Sequence, residues 1–204
     1  DEDNLSPVRR RTLERLVNSA LTLYQEDKFP SPEEVTQQAG YAKVTLGSYF
    51  STHSEFVEYV VKRVIGSYEK PAMVDSAEEN VALLLSWGYG ELFSHQALMR
   101  DAMRITQQRW QQAQSSPAAS IPDDGPAFKT SNRKEALTEA LAPLHTQLPP
   151  EKVQKLVMLM SVLYGTEAMT VLKDSFGLEQ QEVIDLTTWG AQLMLRQAEA
   201  EGKS

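Results

Sequence analysis

The segment from Ser31 to Phe56 narrows the possible folds most, because helix boundaries are written into it at close intervals. Ser31-Pro32-Glu33-Glu34 is a capping box: serine at the N-cap, proline at the first helical position, and glutamate at N3 reaching back. Gly40 closes that helix where the chain turns left-handed at little steric cost. A second short helix is expected from about Lys43 to Phe50. Thr52-His53-Ser54-Glu55 is another capping box, opening a longer apolar-periodic helix. Two short helices meeting at a glycine-containing turn are the pattern of a DNA-binding helix-turn-helix.

Elsewhere apolar residues recur at steps of three and four, with no period-two alternation, so an all-α fold is predicted. A first helix begins at Ser6-Pro7, carries Leu13, Leu16, Val17, Ala20 and Tyr24 on one face, and ends near Asp27-Lys28. The helix after Glu55 stops before Pro71, and Ser76-Ala77-Glu78-Glu79 opens another through about Ser94. A helix over about Gln96 to Gln112 follows, then a proline- and glycine-containing loop over residues 113–130. A helix from about Asn132 to Leu148, bent near Pro143, precedes two long apolar helices over Glu151 to Phe176 and Glu179 to Glu201. The reading is about nine helices: a three-helix helix-turn-helix domain over residues 1–54 and a larger helical ligand-binding and dimerisation domain over residues 55–204.

Charge is distributed in keeping with that division. The whole chain carries −8 over 204 residues. Residues 4–54 hold six basic and five acidic side chains and net +1, whereas residues 1–3 hold −3, which leaves −6 for residues 55–204. An acidic body opposes indiscriminate binding to nucleic acid and is compatible with a binder that relies on a few well-placed contacts. The absence of cysteine excludes a disulfide framework and a cysteine zinc site. No signal-peptide pattern opens the chain, and the most apolar stretch, Leu156 to Gly165, is shorter than the ~18–20 residues that span a bilayer. A cytoplasmic protein without a membrane partner is expected. His53, His95 and His145 lack metal-ligand spacing, and neither a phosphate-cradling glycine loop nor a Gly-x-Ser-x-Gly motif occurs. The sequence therefore points away from an enzyme and calls for no cofactor.

Residues 19–24, Ser-Ala-Leu-Thr-Leu-Tyr, the helix Ser31 to Gly40, and Gly40-Tyr-Ala-Lys-Val-Thr-Leu-Gly-Ser-Tyr-Phe50 together resemble the TetR family of one-component transcriptional regulators. The family pattern at the last of these is Gly-Val-Ser-Lys-Gly-Thr-Leu-Tyr-x-(His/Tyr)-Phe. Gly47 stands where the family usually has tyrosine, Ala42 where it has a capping serine, His53 where it has lysine, and Lys28 where it has a turn glycine. The resemblance implies a homodimeric regulator, most commonly a repressor, that binds a double-stranded DNA operator and is released by a small-molecule inducer held in the helical body.

Leu46 and Phe50 are spaced to pack inward, which leaves Lys43, Val44, Gly47 and Ser48 on the outer face of the second short helix. Lys43, Thr45, Ser48 and Tyr49 carry donors suited to phosphate or base edges, and Ser31 sits at a helix N-terminus that can meet phosphate. His53, by the family position, completes the expected DNA contacts. Met99, Met103, Thr106 and Trp110 fall on one helical face, with Trp87 and Phe93 on the helix before; they are candidates for the inducer pocket, with plain core packing the alternative. The last two helices carry more apolar surface than one face needs. Tyr164, Gly165, Ala168 and Val171 on one, and Leu186, Trp189, Gly190 and Leu193 on the other, are the expected dimer interface. The alternative function is a helical ligand- or protein-binding module whose DNA head has degenerated.

Overall fold

The computed structural model describes residues 5–66, 69–115 and 132–202. Within them the chain forms ten α-helices and no strand: α1 (Pro7–Gln25), α2 (Pro32–Ala39), α3 (Val44–Gly47), α4 (His53–Gly66), α5 (Ala77–Ser94), α6 (Gln96–Ser115), α7 (Asn132–Ala140), α8 (Pro150–Leu163), α9 (Thr166–Phe176) and α10 (Gln180–Gly202). A 3₁₀ turn at Ala142–Thr146 follows α7, where Pro143 prevents the α-helix from continuing. The expected loop from residue 116 onward lies outside the described residues, and α6 extends to Ser115.

The helices divide into two compact units, Asp1–Tyr68 with His95–Phe128, and Glu69–Ser94 with Lys129–Ser204. The first unit contains the expected DNA-binding domain of residues 1–54 and reaches beyond it, taking in all of α4 and α6. Its interior is built from Leu16, Val17 and Ala20 of α1, Val35 of α2, Leu46 of α3, Phe56, Val57 and Val60 of α4, and Leu98 and Ile105 of α6, each under 5% exposed. Phe50 stacks at a tilt on Phe56 and Tyr59, with ring centres 5.3 and 5.2 Å away. Such pairs contribute about 0.5–1.5 kcal/mol beyond area burial.

Two polar ties explain why α6 belongs with the head. Asp101 is fully buried and accepts the Tyr24 hydroxyl at 2.7 Å, while Arg104 donates to its other oxygen from Nε at 2.9 Å. Arg109 pairs with Glu58 of α4. Burial, with Asp101 beside it, pushes the Tyr24 hydroxyl well above the usual tyrosine range, so it stays a donor.

The second unit packs α5, α7, α8, α9 and α10 around Leu84, Leu85, Leu137, Leu141, Met160, Met169 and Val183. One expectation fails here. The single helix predicted over Glu151 to Phe176 is two, α8 and α9, bent by 46°. Gly165 adopts φ 138° and ψ −178°, a conformation open to glycine alone in practice. The break frees the Leu163 carbonyl, and Tyr89 of α5 satisfies it by donating its hydroxyl. A Cβ at Gly165 would sit 2.1 Å from the Arg133 guanidinium, which itself donates to Ser161 O at 3.1 Å and Glu167 Oε2 at 2.7 Å. No single described helix is long and apolar enough to cross a membrane.

Candidate nucleic-acid interface

The expected helix-turn-helix forms from local signals. Ser31 caps α2 by accepting the Glu34 N–H at 3.3 Å, and the Glu34 carboxylate takes the Ser31 N–H at 2.8 Å. Those hydrogen bonds hold the Glu34 carboxyl below the usual carboxylate range. Gly40 ends α2 at φ 74°, and the Tyr41 N–H bonds to Thr36 O at 2.8 Å, a left-handed glycine closure. Glu55 closes the next box differently from expectation: Thr52 accepts the Glu55 N–H at 3.1 Å, but the carboxylate takes the Ser51 N–H at 2.7 Å rather than that of Thr52.

The second short helix, α3, is shorter than the predicted Lys43 to Phe50, spanning Val44–Gly47. Its flanks are tight i to i+3 turns, Thr45 N–H to Ala42 O at 2.9 Å and Ser48 N–H to Thr45 O at 3.2 Å. The residues explain it. Val44 and Thr45 are β-branched, Gly47 carries the helix-interior penalty of about 0.5–1 kcal/mol, and Ala42 provides no side-chain cap.

Leu46 points inward and is 4% exposed; Lys43, Val44, Gly47 and Ser48 face water, and Thr45 and Tyr49 flank them half-buried. Lys43, Ser48 and Tyr49 already have internal partners. Lys43 Nζ pairs with Glu33 at 3.0 Å across an exposed gap, a contact worth little in water and readily exchanged. The Ser48 hydroxyl donates to Thr45 O at 2.8 Å. Tyr49 donates its hydroxyl to Arg9 O at 3.0 Å, Arg9 donates to Ser48 O at 2.8 Å, and the Arg9 guanidinium lies 4.9 Å from the Tyr49 ring centre. At an exposed site such a cation–π contact contributes about 0.5–1 kcal/mol. Arg15 of α1 stacks likewise on Tyr41, at 5.7 Å. Helix α1 thus grips both the turn and the end of α3.

Ser31 and His53 are placed less favourably for DNA. The Ser31 hydroxyl donates to Glu34 at 2.7 Å, and Glu33 and Glu34 set negative charge at the N-terminus where a phosphate would approach. His53 is half-buried at the start of α4, its Nδ1 sealed from water with no hydrogen-bond partner among the described residues. Burial lowers its pKa below the usual histidine value, Asp101 opposes that shift, and Arg104 adds to it.

The six candidate ligand residues fall in two different units. Trp87 and Phe93 pack against the core of the second, with Lys173 Nζ 5.3 Å from the Phe93 ring centre. Met99, Met103, Thr106 and Trp110 lie on α6 in the first, where Met99 is core at 6% exposure, Thr106 bonds to Ala102 O at 3.0 Å and Trp110 faces water. The expected dimer residues also separate. Tyr164 turns inward: its ring meets Tyr89 edge-on at 6.0 Å and its hydroxyl lies 2.2 Å from where a Gly88 Cβ would be. Burial pushes that hydroxyl up to about 12. Gly165 is buried under Arg133, while Ala168 and Gly190 are half-buried. Val171, Leu186, Trp189 and Leu193 face water, as do Met158, Leu159 and Val162 of α8.

Two residues with a structural hold on the head were missed in the sequence. Asp101 left a signal, since it lies three residues after Leu98 and four before Ile105, on the apolar face of α6. Arg9 gives no local signal, because its partners Ser48 and Tyr49 are distant in sequence.

No family model and no curated protein matches the chain. Solved structures do. A TetR transcriptional regulator from Rhodococcus sp. RHA1 is 20% identical, with a TM-score of 0.53 over 93% of this chain and 98% of that one. A tetR-family transcriptional regulator from Streptomyces coelicolor is 16% identical, with a TM-score of 0.62 over 94% of this chain and 83% of that one. A transcriptional regulator from Rhodococcus sp. Rha1 is 15% identical, with a TM-score of 0.58 over 92% and 97%. The chain has the all-α fold of TetR-family transcriptional regulators, with a helix-turn-helix head.

Proposed function

We propose that the chain is a ligand-responsive, sequence-specific DNA-binding regulator of the cytoplasm, most simply a repressor that a small molecule releases from its operator. The observation that carries this reading is the water-exposed face Lys43–Val44–Gly47–Ser48 on a helix-turn-helix, in a chain with the TetR-family fold. Lys43, Thr45, Ser48 and Tyr49 are the DNA contacts, with Lys43, Ser48 and Tyr49 exchanging their internal partners for phosphates and base edges. Ser31 can join them only by loosening its capping box, and His53 has its Nδ1 withdrawn.

A single short reading helix needs a second half-site, so the regulator acts as a homodimer. The exposed apolar residues Val171, Leu186, Trp189 and Leu193 support that pairing. The two reading helices would then span about one turn of DNA, ~34–36 Å, or somewhat more. Ligand in the helical body acts by population shift, with a coupling of about 1–3 kcal/mol typical of such systems. The lever is α4 together with α6, since Arg109–Glu58 and Asp101–Tyr24 join α6 to α4 and α1.

A second reading, a helical binding module with a degenerate head, draws on Gly47 and on the withdrawal of His53. An electrophoretic shift assay with DNA flanking its own gene separates the two. The regulator gives a shift that weakens steeply with salt. No shift with any such fragment at low salt would sink the DNA-binding reading.

A further inference from the structure

Val44 is the most exposed large apolar side chain among the described residues, with 79% of its surface open to water. That exposure does nothing for the free protein. A β-branched residue slightly disfavours helix, and Val44 begins a helix of four residues that also contains Gly47. Val162, nearly as exposed at 73%, stands among Met158 and Leu159 on the apolar flank of α8. Val44 has no such company. Its neighbours on the outer face of α3 are Lys43, Gly47 and Ser48.

The ground beside it is open. Gly47, three residues on and so on the same helical face, has no heavy atom within 4 Å of where a Cβ would stand. The polar groups nearby are held at the margins, Lys43 by Glu33 at 3.0 Å and Ser48 by Thr45 O at 2.8 Å. The middle of the reading face is therefore an apolar knob next to an empty notch. In the major groove, thymine alone presents a methyl group, and the other bases show donors and acceptors that an aliphatic side chain leaves unpaired.

Resting on the DNA-binding reading, we infer that Val44 is a specificity-determining residue that packs on the C5-methyl of one thymine in each half-site, with Gly47 leaving room for the base edge. The residue acts by direct contact, so its preference follows the methyl group and not the overall charge or shape of the DNA.

The test starts with the full-length protein and selection of bound duplexes from a random pool. Each thymine of the selected duplex is then replaced by deoxyuridine, which removes one methyl group and no hydrogen-bonding atom, and affinity is measured for wild type and Val44→Ala. In wild type, one position per half-site loses about fourfold in affinity on methyl removal, the scale set by burying one such carbon. In Val44→Ala that penalty shrinks to within error while penalties elsewhere persist. At an exposed site the substitution leaves thermal stability unchanged, so a folding defect cannot mimic the result. The inference is overturned if wild type tolerates every replacement equally, or if Val44→Ala keeps the same penalty at the same position. If no duplex is selected and no salt-sensitive binding is seen, the DNA-binding reading itself has failed, and this inference falls with it.

Discussion

The Tyr24 hydroxyl and Asp101 Oδ2 meet at 2.7 Å inside the first unit, joining the end of α1 to α6 across a sequence separation of 77 residues. Arg104 takes the other carboxylate oxygen, so the buried charge is paired and its lone pairs are used on both sides. Tyr24→Phe keeps the ring in place and leaves Oδ2 buried without its donor. A loss of about 1–3 kcal/mol is expected, read from urea unfolding at neutral pH. An unchanged midpoint would mean that the pair does not hold α6 to the head.

The Arg9 clasp on Ser48 and Tyr49 makes a different kind of claim, about order rather than global stability. Arg9→Lys keeps the positive charge but loses the planar stack and the forked donor. Amide hydrogen exchange at residues 45–49 should quicken by about threefold to tenfold, corresponding to the loss of roughly 1 kcal/mol, with the melting temperature nearly unmoved. Equal exchange rates in the two proteins would show that α3 holds its shape without α1.

His53 makes stability depend on pH. Its folded pKa lies below the unfolded value of about 6.5 because burial disfavours the charged ring. The unfolded chain therefore takes up the proton first, and stability present above about pH 6.5 is lost as pH falls toward the folded pKa. The charge of Asp101 opposes that pKa shift and the charge of Arg104 adds to it. Guanidinium unfolding at pH 7.5 and 5.5 should show a larger drop for wild type than for His53→Leu, and parallel drops would assign the effect to other groups.

Two glycines should answer oppositely to alanine. At Gly47, which is helical with open space around it, Gly47→Ala should stabilise by about 0.5–1 kcal/mol. At Gly165, with φ 138° and Arg133 in the way, Gly165→Ala should cost about 2 kcal/mol or more. Calorimetric melting of both variants decides it, and a tolerated Gly165→Ala would show that the break between α8 and α9 is not a requirement of the fold.

The proposed dimer rests on α10. Leu186, Trp189 and Leu193 are spaced three and four apart and are 42%, 59% and 44% exposed. Trp189→Glu places a charge in the centre of that face and should weaken association by roughly 2 kcal/mol or more, seen by sedimentation as a shift from two chains toward one. A wild type that sediments as a monomer at micromolar concentration would remove the interface.

These residues also show which parts of the fold can be read along the chain. The capping box at Ser31, the Ser76 hydroxyl accepting the Glu79 N–H, and the left-handed Gly40 are local devices, satisfied by atoms within a few residues, and the sequence announces them. The break at Tyr164–Gly165 depends on Tyr89 and Arg133 arriving from other helices, so the apolar run from Glu151 to Phe176 reads as one helix. The placement of α6 turns on Asp101 finding Tyr24, and Tyr164 faces inward because Gly88 leaves room for it. For the reading face the residue types were legible. The internal partners of Tyr49 and Lys43 were not, since each depends on how neighbouring helices pack.

The first unit is assembled from two stretches of chain, with the segment from Glu69 to Ser94 serving the second unit in between. A head of this kind is not a detachable module. A fragment cut after residue 54 would lack Phe56, Val57 and Val60 of its core, and one cut after α4 would still lack Leu98, Ile105 and the carboxylate that anchors Tyr24. Grafting the proposed DNA specificity onto another protein therefore means exchanging a discontinuous set of residues on an intact chain, because no single excision carries the head whole.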